Sequence, residues 1–114
     1  MRLTIAERMS LLDLLPLQGN VVTLRLVQDL RMKVALTGEE IDKWQVKQIP
    51  SESGGVLVRW APEFDKTRTE IPMSDHEKGI VTREIMQRES KSQLTMNALP
   101  LYDYFVDNKE PKET

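Results

Sequence analysis

The only histidine of the chain, His76, stands between Asp75 and Glu77, and imidazole and carboxylate groups are residue types that bind zinc and other metal ions. Their spacing argues against a shared ion, because consecutive residues of a helix point about 100° apart and do not converge. The sequence contains no cysteine, which excludes thiolate metal sites, iron–sulfur clusters and cysteine nucleophiles. We therefore expect no metal ion and no other cofactor, and we predict that His76 lies on the surface.

Two carboxylate pairs, Glu39 with Glu40 and Glu63 with Asp65, have the composition of a general acid and base. Such a pair works only where its surroundings separate the two pKa values, and nothing in the sequence places these residues in an apolar cleft. Residues 51–55 include two glycines but lack the lysine of a phosphate-binding loop, so a hairpin turn is favoured there. We predict that the protein has no catalytic residues and is not an enzyme.

The composition is that of one folded domain. The chain has 114 residues, of which 39% are hydrophobic and 30% are charged. We assign residues 1–106 to a single domain and residues 107–114 to a flexible charged tail. Residues 1–15 mix charges with leucines, unlike a signal peptide or a membrane span, so we expect a cytoplasmic protein without membrane contact.

Three capping boxes, each a serine or threonine followed three residues later by glutamate, predict the starts of three helices. The pairs are Thr4 with Glu7, Thr37 with Glu40, and Ser74 with Glu77. The first helix should span residues 5–15, because Pro16 disfavours helical geometry in the residue before it. The helix after Thr37 should be short, from residue 39 to 43, and the helix after Ser74 should reach about residue 91.

A further helix should follow Asn20, a residue that favours the helix N-cap. Its apolar stripe consists of Leu24, Val27, Leu30 and Val34. Its opposite face carries Arg25, Gln28, Asp29 and Arg31. Arg25 and Asp29 are four residues apart and can form a weak pair, so we interpret this face as solvated or partner-binding. A last helix should span residues 100–106.

Apolar and polar residues alternate in three segments, at residues 44–48, 56–60 and 67–73, and this period predicts β-strands. The connections between them are short, which favours a three-stranded antiparallel meander. Trp44 and Trp60 are in phase with the strand valines, so we expect both in the core. The fold class is therefore α+β, with three helices, the meander and two closing helices.

The motifs LTIAER (residues 3–8), LLP (14–16), GN (19–20), TL (23–24), DLR (29–31) and TGEE (37–40) together resemble a family of small phage or prophage proteins of uncharacterised function. The strand at 56–60, the helix near Ile80 and the closing LYDYFV at 101–106 are similar to the later pattern of that family, from which Pro100 departs. The resemblance implies a phage protein in a bacterial cell and carries no catalytic residues.

Three functions remain open for such a protein. We favour a non-enzymatic interaction protein that binds a host or phage macromolecule, foremost a protein, through a helical face or a sheet edge, with a homodimer as an additional possibility. The candidate binding residues are Arg25, Gln28, Asp29 and Arg31. The first alternative is a nucleic-acid-binding regulator in which the first two helices act as a helix-turn-helix. The connection at residues 16–20 is long for that motif, and Asp29 interrupts its basic face. The second alternative is a virion or assembly component.

Overall fold

The computed structural model describes residues 1–52 and 54–109, which form an α+β fold. In chain order the elements are β1 (Arg2–Leu3), α1 (Ile5–Leu14), α2 (Val21–Val34), α3 (Gly38–Trp44), β2 (Lys47–Pro50), β3 (Val56–Arg59), β4 (Thr69–Glu70), α4 (Asp75–Ser90) and α5 (Leu99–Phe105). Single turns of 3-10 helix lie at Pro62–Phe64 and Met96–Ala98.

The three predicted capping boxes are confirmed. In each, the backbone amide of the glutamate donates to the hydroxyl, and the glutamate carboxylate accepts the amide of the hydroxyl residue. The side chain of Asn20 accepts the amide of Thr23 at 2.8 Å and so caps α2 as expected. Each cap satisfies backbone donors that have no partner within the helix, an effect of about 1 kcal/mol. The local sequence therefore determines where these helices begin.

The predicted three-stranded meander is wrong. The segment at Thr69–Glu70 pairs with β1, with Arg2 opposite Glu70 and Leu3 opposite Thr69, and this makes a two-stranded antiparallel sheet. β2 and β3 form a separate antiparallel hairpin. The alternation of residues predicts a strand but not its partner, and β1 is only two residues long, too short to show a period. Burial decides the pairing, because Leu3 of β1 and Ile71, just after β4, both enter the core.

The core lies between α1, α2, α4 and α5. Its buried side chains include Leu11 and Leu14 from α1, Val27, Leu30 and Val34 from α2, Ile80, Val81 and Ile85 from α4, and Leu101, Tyr104 and Phe105 from α5. The predicted buried stripe of α2 is therefore confirmed at Val27, Leu30 and Val34, whereas Leu24 is 37% exposed. At about 100° per residue, Leu24 points about 120° away from Leu30 and so lies at the edge of the stripe.

The two tryptophans differ from the prediction. Trp44 is buried as expected, but it ends α3 rather than beginning a strand, and its ring lies 6.4 Å from that of Phe64. Trp60 follows the last residue of β3 and is half-buried, and its indole nitrogen donates to Asp65 Oδ1 at 2.6 Å. Together these contacts close the base of the β2–β3 hairpin, where the amide of Ala61 donates to the carbonyl of Trp44.

Within residues 1–52 and 54–109, no helix is both long enough and apolar enough to cross a lipid bilayer. Of the predicted tail at 107–114, residues 110–114 lie outside the described residues. Within the described part, the amide of Lys109 donates to the carbonyl of Asp103 at 2.8 Å.

Candidate interaction surfaces

Arg8 of α1 fixes the positions of α2 and α3. The side chain is 2% exposed, and its Nε donates to the carbonyl of Val34 while Nη2 donates to the carbonyl of Ala35. These carbonyls end α2 and have no acceptor role within the helix. Both terminal nitrogens also donate to the carboxylate of Glu40, at 2.8 and 3.0 Å, in the bidentate geometry that suits a guanidinium. One arginine thus joins three helices.

The other two capping glutamates also receive a basic side chain from a distant element. Glu7 accepts from Arg68 at 2.9 Å, and Glu77 accepts from Lys33 of α2 at 2.9 Å. Arg68 donates in addition to the hydroxyl of Tyr104, which itself donates to the carbonyl of Arg2. Each capping carboxylate therefore starts one helix and holds another element against it, and the exposed faces of α2 and of the hairpin lie on a fixed framework.

Two of these capping carboxylates, Glu40 and Glu77, have lowered pKa values. The side-chain hydrogen bond from Arg8 holds the pKa of Glu40 below its usual 4.5. Burial raises the pKa of Glu77, but the hydrogen bonds from the Ser74 amide and from Lys33 outweigh it, and the pKa is lowered overall. A carboxylate with a lower pKa in the folded state stabilises the protein above its unfolded pKa and loses that contribution as the pH falls through the folded pKa.

We expect the free energy of unfolding to fall as the pH is lowered below about 4.5, the usual pKa of these groups. Glu40→Gln and Glu77→Gln should each be less stable than the wild type at pH 7 and should lose less stability between pH 5 and pH 3. Urea unfolding at several pH values measures both quantities. Glu89→Gln, at an exposed position of α4, is the control and should follow the wild-type curve. If the free energy of unfolding depended on pH in the same way in all four proteins, Glu40 and Glu77 would not be the source of the acid destabilisation.

The predicted partner-binding residues of α2 do not all share one environment. Arg25, Gln28 and Asp29 are exposed on the outer face of the helix, as expected. Arg31 is half-buried, and its Nη2 reaches the carbonyl of Leu15 at 3.4 Å, so this side chain points back to the end of α1. The anticipated weak pair between Arg25 and Asp29 is not among the ion pairs of the structure's described residues. With Arg31 turned towards Leu15, only Arg25 of the two arginines predicted to contact nucleic acid lies on the outer face of α2.

Exposed apolar side chains surround these polar residues. Val22 is 70% exposed and Met32 is 76% exposed, and both lie on the outer face with Arg25 and Asp29. Leu17, which precedes α2, and Val21, its first residue, are exposed as well. The stripe predicted from the sequence did not include these exposed residues, and no role was predicted for them. The signal was present in the same segment, because Val22 and Met32 are out of phase with Val27 and Leu30.

The β2–β3 hairpin is the second exposed surface. Ile49 and Leu57 are opposite each other on one of its faces, and Leu57 is 49% exposed. Val56, opposite Pro50 on the other face, is 62% exposed. The predicted strand at 56–60 is therefore present, but it has no buried face. An isolated hairpin is marginally stable in water, so one that exposes apolar residues on both faces is typical of a binding element.

The two edges of the hairpin are unequal. Pro50 lies in β2 and has no amide hydrogen, which blunts that edge for pairing with another strand. β3 contains no proline, and among the described residues no third strand pairs with it. On the face with Leu57, Lys47 lies opposite Arg59, and like charges opposite each other destabilise a hairpin on its own. The outer edge of β3 is thus open and flanked by the positive charges of Lys47 and Arg59.

Two of the carboxylates considered for acid–base chemistry make structural contacts. Glu40 binds Arg8 and Asp65 accepts from Trp60, whereas Glu39 and Glu63 are exposed. His76 is exposed in the first turn of α4. Within residues 1–52 and 54–109, no group of three histidine, aspartate or glutamate residues is arranged to hold a metal ion.

No protein-family model, no curated protein and no solved structure matches this chain.

Proposed function

We propose that this protein is a non-enzymatic interaction protein that binds an extended segment of another protein along the outer edge of β3. The main support for this proposal is the β2–β3 hairpin, which has an open edge without proline and exposed apolar side chains on both faces. An extended peptide that adds to such an edge gains main-chain hydrogen bonds, and its alternate side chains meet those of the edge strand. The phage resemblance of the motifs in residues 3–40 supports a setting in the cytoplasm of a bacterial cell, with a host or phage protein as the partner.

The charges of the hairpin determine which segment fits. Residues on an added strand lie beside those of β3, so a partner residue next to Leu57 should be apolar and one next to Arg59 should be acidic. The nearby ammonium of Lys47 adds to the same positive field. A partner carboxylate next to Arg59 offsets the electrostatic repulsion between the side chains of Lys47 and Arg59. The preferred partner is therefore an extended segment with an apolar and an acidic residue two positions apart, on the same face of the added strand.

Selection from a random peptide library against the immobilised protein tests this proposal. The selected peptides should share an apolar and an acidic residue two positions apart, and their addition should shift the NMR amide signals of residues 56–59. Leu57→Glu should weaken binding of a selected peptide by about tenfold or more, because a loss of about 1.4 kcal/mol corresponds to a factor of ten. Fluorescence anisotropy with a labelled peptide measures the Kd.

Met96→Glu is the matched control, since Met96 is also a highly exposed apolar residue and lies outside the hairpin. It should bind the peptide as the wild type does. Arg59→Glu should weaken binding of the acidic peptide and improve binding of a version in which lysine replaces each acid. Peptides without an acidic pattern, or peptides that bind Leu57→Glu and the wild type equally, would overturn the proposal.

A further inference from the structure

The outer face of α2 carries a stripe with the spacing of a helix–helix seam. Val22, Arg25, Asp29 and Met32 follow each other at intervals of three, four and three residues, the a and d positions of a heptad. All four are exposed, and they lie opposite the stripe that packs into the core. None of these four residues belongs to the β2–β3 hairpin.

The stripe is self-complementary. Val22 and Met32 are each five residues from Val27, and Arg25 and Asp29 are each two residues from it. A twofold axis at the level of Val27 therefore brings Val22 against the partner's Met32 and Arg25 against the partner's Asp29. In an antiparallel coiled coil, a positions pack against d positions of the other helix, which is the relation between the members of each pair. We propose that two copies of this chain associate through α2 in this antiparallel arrangement.

Charge selects the antiparallel direction. A parallel pairing in the same seam would place Arg25 against Arg25 and Asp29 against Asp29, and like charges at a contact are repulsive. The antiparallel pairing converts the same four side chains into two ion pairs across the axis. Val22 and Met32, which are 70% and 76% exposed in the single chain, then shield each other from water at both ends of the contact.

The contact is small. α2 has 14 residues and is about 21 Å long, and one pair of helices of this length covers less than the roughly 800 Å² per partner that is usual for a stable complex. The dimer should therefore be weak, with a Kd on the order of 100 μM, and should respond to concentration. Isologous contact between two copies is also the commonest symmetry of homo-oligomers.

Sedimentation equilibrium of the full chain from about 5 to 500 μM tests the proposal, with the Kd as the readout. The wild type should change from monomer to dimer across this range. Arg25→Asp creates two contacts between carboxylates, and Asp29→Arg creates two contacts between guanidinium groups, so each variant alone should weaken dimerisation by tenfold or more. The double variant with both substitutions should regain the wild-type Kd.

The decisive sample is an equimolar mixture of Arg25→Asp and Asp29→Arg. In the proposed register both contacts of the mixed dimer join opposite charges, so the mixture should dimerise with about the wild-type Kd, more tightly than either component alone. Circular dichroism melts should show that both variants fold, since the substituted positions are exposed. A wild type that stays monomeric at 500 μM, single variants that dimerise as the wild type does, or a mixture that stays monomeric would each overturn the proposal.

Discussion

Arg8→Ala is expected to lower the free energy of unfolding by about 3–5 kcal/mol, the range observed when one partner of a buried ion pair is removed. The substitution removes a side chain that is 2% exposed and that donates to three separate groups. The carbonyls of Val34 and Ala35 lose their donor, and the carboxylate of Glu40 keeps its charge without its counterion. Folded domains of this size are stable by about 5–15 kcal/mol, so the loss is a large part of the total.

Urea unfolding followed by circular dichroism measures the effect. Arg8→Lys should be intermediate, because a lysine keeps the charge but lacks the planar fork that serves both carboxylate oxygens and a carbonyl. Arg83→Ala is the control, since Arg83 is an exposed arginine of α4 and its removal should change stability by less than about 0.5 kcal/mol. If Arg8→Ala does not fold, the comparison rests on Arg8→Lys. Equal stability of Arg8→Lys and wild type would contradict the role assigned to the bidentate pair.

Leu101→Ala should destabilise the protein by about 2–5 kcal/mol, because it leaves a cavity at a site where the side chain is fully buried. Leu101 belongs to the cluster that joins α5 to α1 and α4, and its loss should loosen the contact of α5 with the rest of the core. The same urea unfolding experiment gives the change in free energy.

Leu99→Ala is a closely matched control for Leu101→Ala. Leu99 lies two residues earlier in the same helix and is 44% exposed, and the substitution is chemically identical. Leucine and alanine have similar helix propensities, so the difference between the two variants reports burial alone. We expect Leu99→Ala to cost less than about 1 kcal/mol. Equal losses in the two variants would show that α5 has a different rotational position.

The helices could be predicted because their determinants are local. A capping box involves residues three apart, and Pro16 acts on its immediate neighbour, so the sequence alone places the helix starts and the first helix end. The pairing of β4 with β1 could not be predicted in this way, because it depends on burial of Leu3 and Ile71 against helices that are distant in the chain.

The candidate surfaces also combine features that local sequence predicts with features that depend on tertiary contacts. The exposure of Arg25, Gln28 and Asp29 follows from their phase against Val27 and Leu30, which the sequence contains. The orientation of Arg31 towards Leu15 and the exposure of the hairpin depend on tertiary packing. Arg8 lacked any sequence signal of its importance, because an arginine on a short amphipathic helix is normally solvated. Its acceptors are supplied by α2 and α3.

The separation of contacts along the chain also determines the order in which the fold can assemble. Arg8 and its partners are at most 32 residues apart, whereas Tyr104 and Arg2 are 102 residues apart. Closing a long loop costs more entropy than closing a short one. During synthesis at about 5–20 residues per second, α1, α2 and α3 can join around Arg8 seconds before the partner of β1 leaves the ribosome. The first strand of the chain is thus among the last to pair, and until then the side chain of Leu3 lacks its place in the core.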